Sequence, residues 1–357
     1  MNLDRSFWKN KKVLLTGHTG FKGGWLSVIL SHLNAKVFGY SLEAEKQSFF
    51  NRTNLKSLIN HYEGDIRNLD EFIEYERATK PEILIHMAAQ PLVIKSYKDP
   101  IETFSTNVMG TVNILEAIRK SSSIKSGVII TTDKCYENTN IKRGYRENDP
   151  MGGHDPYSSS KGAAELAIAS YQKSFFSKEL YKEIGIAIGS VRAGNIIGGG
   201  DWSNNRLIPD LIRAATSNKI VQIRNPSATR PWQHVLEPLS GYLFVAQKLF
   251  EEGPSGSDNW NFGPTMKDIE PVSKVADLFC KSWGENLSWK QEKNFSLHEA
   301  ESLSLDITKA RKTLGWVPKW RLNYAIDRVV DWHKEEMQNK DMLGVTLNQI
   351  KEHFDDN

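Results

Sequence analysis

The chain has 357 residues, of which 39% are hydrophobic and 25% charged, a balance typical of a globular protein with one large or two smaller domains. Its formal net charge is only +3 and the basic residues form no block, so the composition does not indicate a nucleic-acid partner. No apolar run approaches the ~20 residues of a membrane span. The nine histidines lack metal-ligand spacing, so we expect neither membrane insertion nor a metal site.

The cysteines and the amino terminus point to a reducing compartment. Cys135 and Cys280 are too few for a disulfide framework, and no signal-peptide pattern opens the sequence. We therefore predict a cytoplasmic protein.

The first half of the chain alternates short β-rich segments with helical patterns. Strands are predicted at KVLLTG, KVFGY, HYEGD, EILIHMAA, GVIITT and IGIAIGSVRAGN, with helices at 22–33, around 71–76, at 100–120 and from residue 156. This alternation predicts an α/β fold with a doubly wound, Rossmann-like parallel sheet over residues 1–194. After about residue 195 glycine, proline and tryptophan become frequent and helices fewer, which predicts a second, smaller substrate-binding domain over 195–357.

A glycine-rich loop follows the first predicted strand. The segment VLLTGHTGFKGGWL carries Gly17, Gly20 and Gly23 in a G-x-x-G-x-x-G spacing between strand and helix. Such glycines let the backbone turn tightly and approach a pyrophosphate at the helix amino terminus. A simple tight connection would need the same glycines, but the alternating α/β context favours a dinucleotide-binding loop.

The residues that select the cofactor are expected about 20 residues further on. GYSLE places Ser41 where an acid would bind the ribose of NAD, and Glu43 lies slightly late. Because no arginine follows to bind an extra phosphate, NAD is favoured and NADP stays open. Asp65, at a strand end, would accept from an adenine amino group or cap a helix.

Tyr157 and Lys161 stand four residues apart at the start of a predicted helix, so their side chains share one face. Asp155 is placed to cap that helix. A phenol with a pKa of ~10 is a poor base at neutral pH. A neighbouring ammonium and an oxidised nicotinamide would lower that pKa, so that Tyr157 could take a proton from a substrate hydroxyl.

The segment TTDKCYEN follows the apolar run SGVII and puts Asp133 beside Lys134. An acid and a base at the end of a buried strand are costly to desolvate. The pair is therefore a surface turn, an inert ion pair or part of an active site.

Together these motifs resemble the extended short-chain dehydrogenase/reductase family and, within it, the CDP-glucose 4,6-dehydratases. The matching segments run from residue 16 to about 316 and are TGHTGFKGGWL, HMAAQPLV, TTDKCYEN, DPYSSSKGAAE, RAGNIIGGGDW, RPWQHVLEPLSGY and LDITKARKTLGW. The resemblance implies bound NAD, a nucleotide-sugar substrate of the CDP-glucose type, a homodimer or homotetramer, and a role in deoxysugar biosynthesis.

The resemblance also implies a reaction cycle at one sugar. Hydride leaves the 4-position for the nicotinamide, the acidified 5-hydrogen is removed, the 6-hydroxyl departs as water, and hydride returns to the 6-position. Carried over by position, Tyr157 is the base for the 4-hydroxyl, Thr132 hydrogen-bonds the 4-oxygen and Asp133 is the acid for the 6-hydroxyl. Lys134 is either a neutral general base or a cation that stabilises the enolate.

The same resemblance implies the binding residues. Those for the cofactor are Gly17, Thr19, Gly20, Phe21, Gly23, Ser41, Asp65, Ile66, Ala88, Ala89, Gln90, Asn107, Tyr157 and Lys161. Those for the substrate are Asn195, Arg206, Arg230 and His234, of which Arg230 is the first candidate for the pyrophosphate because guanidinium binds phosphate bidentately.

Rival functions remain compatible with this scaffold. A nucleotide-sugar 4-epimerase shares the loop, Tyr157 and Lys161 but needs no acid/base pair for loss of water. A non-catalytic dinucleotide-sensing protein would have no reason to retain Tyr157, Lys161 and Asp133 together. A dehydratase for a dTDP- or GDP-sugar also stays open, because no motif encodes cytosine.

Overall fold

The computed structural model describes residues 3–141, 143–217, 219–284, 287–292 and 302–355. The strands in these ranges are β1 Lys12–Thr16, β2 Lys36–Ser41, β3 Asn60–Glu63, β4 Ile83–His86, β5 Ser126–Ile130, β6 Ala187–Ala193, β7 Ile196–Ile197, β8 Val221–Ile223, β9 Thr229–Pro231, β10 Gln233–His234, β11 Asn259–Phe262, β12 Ile269–Pro271 and β13 Trp289–Gln291.

The helices in the same ranges are α1 Arg5–Trp8, α2 Phe21–His32, α3 Phe49–Arg52, α4 Leu69–Thr79, α5 Val93–Lys98, α6 Pro100–Phe104, α7 Gly110–Lys120, α8 Pro156–Ser174, α9 Tyr181–Ile184, α10 Leu207–Thr216, α11 Leu236–Glu252, α12 Val272–Trp283, α13 Leu322–Met337 and α14 Met342–Phe354. The predicted helix at 100–120 is present, but a π-helical segment, Ser105–Met109, joins α6 to α7. Among the described helices, none combines the length and apolarity needed to cross a bilayer.

A parallel sheet forms the centre of the molecule, with strand order β3-β2-β1-β4-β5-β6-β11. Val13 and Leu15 of β1 point into one core, and Leu14 between them points into the other, because side chains alternate along a strand. Helices α7 and α8 cover one face, and α2 and α11 cover the other. The predicted doubly wound, Rossmann-like sheet is therefore confirmed.

The order of the strands fixes where a ligand can bind. The chain runs outward from β1 through β2 to β3, then returns to β4 on the other side of β1. In such sheets a crevice opens beyond the carboxyl ends of the strands at this reversal. The loops after β1, β4, β5 and β6 all meet there.

The second half of the chain differs from the expectation of fewer helices. Helices α10 to α14 all lie beyond residue 195, and α10, α12 and α13 enclose a smaller core of Ile208, Leu211, Phe279, Ile326 and Val329. Several of the glycines and prolines lie at the ends of these helices, as Pro271, Gly253 and Gly284 do, and therefore do not prevent them. The boundary at residue 194 stays a prediction, but β11 and α11 beyond it belong to the central sheet and its cover.

Candidate active site

The glycine-rich loop lies between β1 and α2 and is packed too closely for side chains. Gly17 has a φ of +75°, and a Cβ atom there would lie 2.7 Å from the backbone nitrogen of Ala88. A Cβ on Gly23 would lie 2.2 Å from the carbonyl oxygen of Gly17. Gly20 precedes α2 and offers no side-chain cap, so the first N–H groups of the helix can serve an anion.

Two predicted cofactor residues bond to each other at the end of β2. The hydroxyl oxygens of Thr19 and Ser41 are 2.7 Å apart, and Thr19 also donates to the carbonyl of Leu42 at 3.1 Å. The structure thus brings the first loop and the strand end together, as the spacing predicts.

Asp65 lies after β3, but its carboxylate is held by a neighbour. The guanidinium of Arg67 bonds to both carboxylate oxygens, and this hydrogen bonding lowers the pKa of Asp65. Asp65 does not cap α4, since Asn68 does so. Ile66 is buried against Gly110 at the start of α7.

Asn107 joins the loop after β4 to helix α8 by hydrogen bonds. The amide of Asn107 accepts from the backbone nitrogen of Gln90 at 2.8 Å and donates to the Gln90 carbonyl at 3.0 Å and to the Ser160 hydroxyl at 2.9 Å. The π-helical segment turns Asn107 into this buried position. Asn107 therefore fixes the position of Ala89 and Gln90 relative to α8.

Tyr157 and Lys161 share one face of α8, as predicted, and Asp155 caps the helix by accepting from the backbone nitrogen of Ser158 at 3.0 Å. Both side chains are buried. The Lys161 ammonium lies 3.5 Å from the carbonyl oxygen of Ile130, and burial lowers the pKa of Lys161 to about 8.

The protein's own residues do not by themselves produce the lowered pKa expected for Tyr157, and the expected contribution of the nicotinamide stays a prediction. Burial raises the pKa of Tyr157 to about 12, and a hydrogen bond with Thr132 and the charge of Arg206 oppose that rise. Desolvation of the phenolate outweighs these partners. Among the protein groups, burial therefore favours the neutral phenol of Tyr157.

The segment after β5 forms a short turn, Asp133–Cys135, that faces the same space. Asp133 is 2% exposed; its Oδ1 accepts from the Thr132 hydroxyl at 3.0 Å, and its Oδ2 has no protein partner among the described residues. Burial raises the pKa of Asp133, against the charges of Lys134 and Arg230. A buried carboxyl with a raised pKa is suited to donate a proton.

A cavity of about 490 Å³ opens beside these groups, within the size range of small-molecule sites. Its lining includes Thr132, Asp133, Lys134, Tyr157, Asn195, Arg206 and Arg230. Arg230 is 5% exposed and Arg206 pairs with Asp201 at 3.2 Å. Three of the four predicted substrate residues therefore meet the catalytic turn at one cavity.

His234 lies elsewhere. Its ring packs 4.7 Å from that of Trp320 and 5.7 Å from that of Trp25, and it is fully buried outside the cavity lining. Burial lowers the pKa of His234 well below its ordinary value. Its position gives the predicted contact with substrate no support.

Sequence reasoning missed one residue that lines the cavity and one that is buried near it. Lys22, directly after Phe21 in the loop, lines the cavity, and burial lowers its pKa to about 7. Its place in the loop motif was a usable signal. Tyr242 of α11 is fully buried near Asp133 and Tyr157, and no short motif marks it.

A Rossmann-like sheet, a glycine-rich loop at its switch point and a buried Tyr157–Lys161 pair on one helix face define an extended short-chain dehydrogenase/reductase. The profile of the family described as GDP-mannose 4,6 dehydratase matches residues 14–329, so the chain belongs to that family.

Two known relatives and a solved structure are similar to at least 78% of the chain. CDP-glucose 4,6-dehydratase of Salmonella typhimurium is 49% identical over 353 residues, which cover 99% of this chain and 98% of the relative. UDP-glucose 4-epimerase of Rhizobium leguminosarum is 25% identical over 290 residues, covering 78% and 85%. A solved dTDP-glucose 4,6-dehydratase of Streptomyces venezuelae shares the fold, with a TM-score of 0.78, 20% identity and coverage of 93% and 99%.

Proposed function

We propose that this enzyme converts CDP-glucose to CDP-4-keto-6-deoxyglucose with NAD as a recycled cofactor. The relative from Salmonella typhimurium, alike over nearly the full length of both chains, carries this activity in its name. The observation in the structure that carries the proposal is the buried Asp133 carboxyl, which faces the cavity beside Tyr157 in addition to the pair that every dehydrogenase of this class needs.

The residues of the glycine-rich loop fit NAD. Gly17 and Gly23 allow a turn too tight for a Cβ, Gly20 leaves the first N–H groups of α2 without a side-chain cap, and Ser41 carries no charge that would select an extra phosphate. The dTDP-glucose 4,6-dehydratase from Streptomyces venezuelae was solved with NAD bound. Bound NAD supplies the reversible oxidation at the 4-position of the sugar.

The protein's own groups then divide the proton transfers. Tyr157 takes the proton of the 4-hydroxyl, and Thr132, which bonds to Tyr157, orients the 4-oxygen. Lys161 holds the cofactor ribose and stabilises the phenolate. Asp133 donates its proton to the departing 6-hydroxyl, because burial keeps the carboxyl protonated at a higher pH than usual.

Lys134 carries one of two roles at the 5-position. As a neutral amine it removes the 5-hydrogen, and as a cation it stabilises the enolate that forms beside the new ketone. Its side chain lines the cavity next to Asp133 in either case. Lys134→Met is expected to lose most of the dehydration activity, and a turnover near that of the unaltered enzyme would contradict both roles.

The substrate half of the cavity supplies anion-binding groups. Arg230 and Arg206 line it together with Asn195. Two guanidinium groups at one cavity suit the pyrophosphate of a nucleotide sugar. Val221, Gln222 and Ile223 of β8 extend the lining beyond the arginines, where the nucleoside would lie.

We also propose that the enzyme is a homodimer or a homotetramer. Apolar side chains are exposed along the helices of one face: Ile101 is 82% exposed, Met109 54% and Leu166 63%. An apolar face on α6, the π-helical segment and α8 suits helix packing against a second copy. Sedimentation of the purified protein measures the number of subunits, and Ile101→Glu should dissociate the dimer.

The test compares nucleotide sugars directly. Purified protein with NAD is given CDP-glucose, UDP-glucose, dTDP-glucose and GDP-mannose in parallel, and products are identified by mass spectrometry. A dehydrated product formed fastest from CDP-glucose supports the proposal. Faster dehydration of another substrate corrects the nucleotide, and a product of unchanged mass with an inverted 4-hydroxyl makes the enzyme a 4-epimerase. Bound NAD without any turnover makes the chain a sensor.

A further inference from the structure

A buried ion pair lies behind Lys161 and has no part in the chemistry above. Glu165 of α8 and Arg192 of β6 have side chains that are each 2% exposed. Nη2 of Arg192 lies 2.6 Å from Oε2 of Glu165, and Nε lies 2.9 Å from Oε1. Burial of two charges costs free energy that apolar packing would avoid, so the position of this pair calls for a function.

The pair is linked to Lys161 through the helix. Glu165 follows Lys161 by four residues, as Lys161 follows Tyr157, so the three side chains share one face of α8. The negative charge of Glu165 raises the pKa of Lys161 and opposes the effect of burial. Arg192 neutralises part of that negative charge.

The pair is also linked to the catalytic turn. The hydroxyl of Thr131, next to Thr132 and Asp133, donates to Oε1 of Glu165, and the backbone nitrogen of Thr131 donates to the carbonyl of Val191 at 2.9 Å. Both carboxylate oxygens of Glu165 therefore have two partners, since Ser190 donates to Oε2 at 2.9 Å. The carboxylate cannot turn without moving the strand end.

Hydrogen bonds also fix the position of the Arg192 side chain. Its Nη1 donates to the Tyr136 hydroxyl at 2.7 Å and to the Glu147 carbonyl at 3.0 Å, and Tyr136 donates to Asn261 at 2.8 Å. The network thus spans α8, β5, β6 and β11. A fully satisfied buried network of this kind fixes one geometry.

Other titratable groups surround Lys161, and most stay uncharged. Burial lowers the pKa of His86 to about 3 and raises that of Cys135 well above its ordinary value. The groups that face Lys161 are Lys22 from α2, His86 from β4, Cys135 from the turn, and Tyr157 and Glu165 from α8. Glu165 is the anion among them, and Lys22 is a second amine that burial leaves only partly charged at neutral pH.

We propose that Glu165 is a positioning residue. Its negative charge keeps Lys161 protonated, and its hydrogen bonds fix the turn that carries Thr132 and Asp133. The positive charge of Arg192 limits how strongly Glu165 acts on Lys161. This role deepens the proposed function and rests on it for the dehydration step. Its effect on cofactor binding does not depend on the identity of the sugar. Loss of the Lys161 charge removes a strong donor to the ribose, so NAD binding weakens as pH rises.

The test measures NAD affinity against pH by calorimetry and kcat/KM for CDP-glucose against pH. Glu165→Gln keeps a hydrogen-bond acceptor but removes the charge, so the alkaline loss of binding should begin about one pH unit lower. Arg192→Met leaves the carboxylate unopposed, so the same loss should begin at a higher pH. Ser190→Ala removes the hydrogen bond from Ser190 to Glu165 but no charge. The pH at which NAD binding is lost should therefore stay the same.

The opposite signs separate electrostatics from structure. If Glu165 and Arg192 only stabilise the fold, both single variants should shift the pH at which NAD binding is lost in the same direction, or not at all. Either result overturns the proposal. If circular dichroism shows that a single variant does not fold, the double variant E165Q/R192M decides. Loss of NAD binding at a lower pH than in the unaltered enzyme supports the role of Glu165, and loss at the same pH contradicts it. Failure of the proposed function would appear separately, as normal NAD binding without dehydration of CDP-glucose.

Discussion

The two walls of the cavity, one beside the expected cofactor and one beside the expected substrate, differ in the kinds of residue that form them. The cofactor wall, residues 16–23 and 86–90, meets the cavity at Phe21 and Lys22, and its glycines Gly17 and Gly23 pack directly against neighbouring backbone. The substrate wall, residues 194–232, presents long charged side chains such as Arg206 and Arg230. Substitutions that add side-chain atoms to the glycines of the cofactor wall should therefore lower the free energy of unfolding. Changes in the substrate wall should cost affinity and leave the fold intact.

The catalytic groups lie between the walls, and the largest effect is expected there. Tyr157→Phe removes the hydroxyl that accepts the 4-proton, so turnover of CDP-glucose should fall by about 10²–10⁴-fold. The free energy of unfolding should change by only about 1 kcal/mol, because one buried hydrogen bond is lost. Turnover by mass spectrometry and thermal unfolding measure the two effects. Activity within tenfold of the unaltered enzyme would contradict the role of Tyr157.

Asp133→Asn should stop the cycle after its first half. The amide cannot protonate the 6-hydroxyl, so dehydration should fall by about 10²–10³-fold, while the absorbance of reduced nicotinamide accumulates on addition of CDP-glucose. In the unaltered enzyme burial raises the pKa of Asp133, so the acid form persists to a higher pH than usual and dehydration declines as pH rises through that raised pKa. A rate that instead increased through this range would argue against Asp133 as the acid.

Gly23→Ala tests the packing of the cofactor wall. A Cβ at 2.2 Å from the Gly17 carbonyl forces the backbone apart, so unfolding should become easier by about 1–3 kcal/mol. Gly20→Ala is the matched control, since its Cβ would meet that carbonyl at 3.4 Å, an ordinary contact. Chemical denaturation without cofactor compares them, and equal stability of the two variants would contradict the account of this wall.

Arg230→Lys tests the substrate wall and should have the smallest effect. The charge beside Asp133 is kept, but bidentate binding of a phosphate is lost, so KM for CDP-glucose should rise about tenfold with little change in stability. Arg206→Lys, at a more exposed side chain, should raise KM less. A larger effect at Arg206 would transfer the main pyrophosphate contact to that residue.

The sequence predicted the parts of the site that depend on local spacing. Tyr157 and Lys161 share a helix face because they are four residues apart, and Gly17, Gly20 and Gly23 lie in one turn between a strand and a helix. The alternation of strands and helices was likewise sufficient for the doubly wound sheet.

The sequence did not predict the parts that depend on contacts between distant segments. Asn107 bonds to Ser160 across 53 positions, and Arg192 to Glu165 across 27. No local pattern links such residues. The effect of burial on the pKa of Tyr157 was missed for the same reason, because spacing shows the nearby ammonium but not the depth of burial.

The central claim is that the enzyme removes water through exchange of the 5-hydrogen. Incubation with CDP-glucose and NAD in deuterated water, followed by mass spectrometry and NMR of the product, tests it most directly. The account predicts a product lighter by one water that carries deuterium at the 5-position. A product of unchanged mass with an inverted 4-hydroxyl, or a dehydrated product without deuterium at the 5-position, would contradict it.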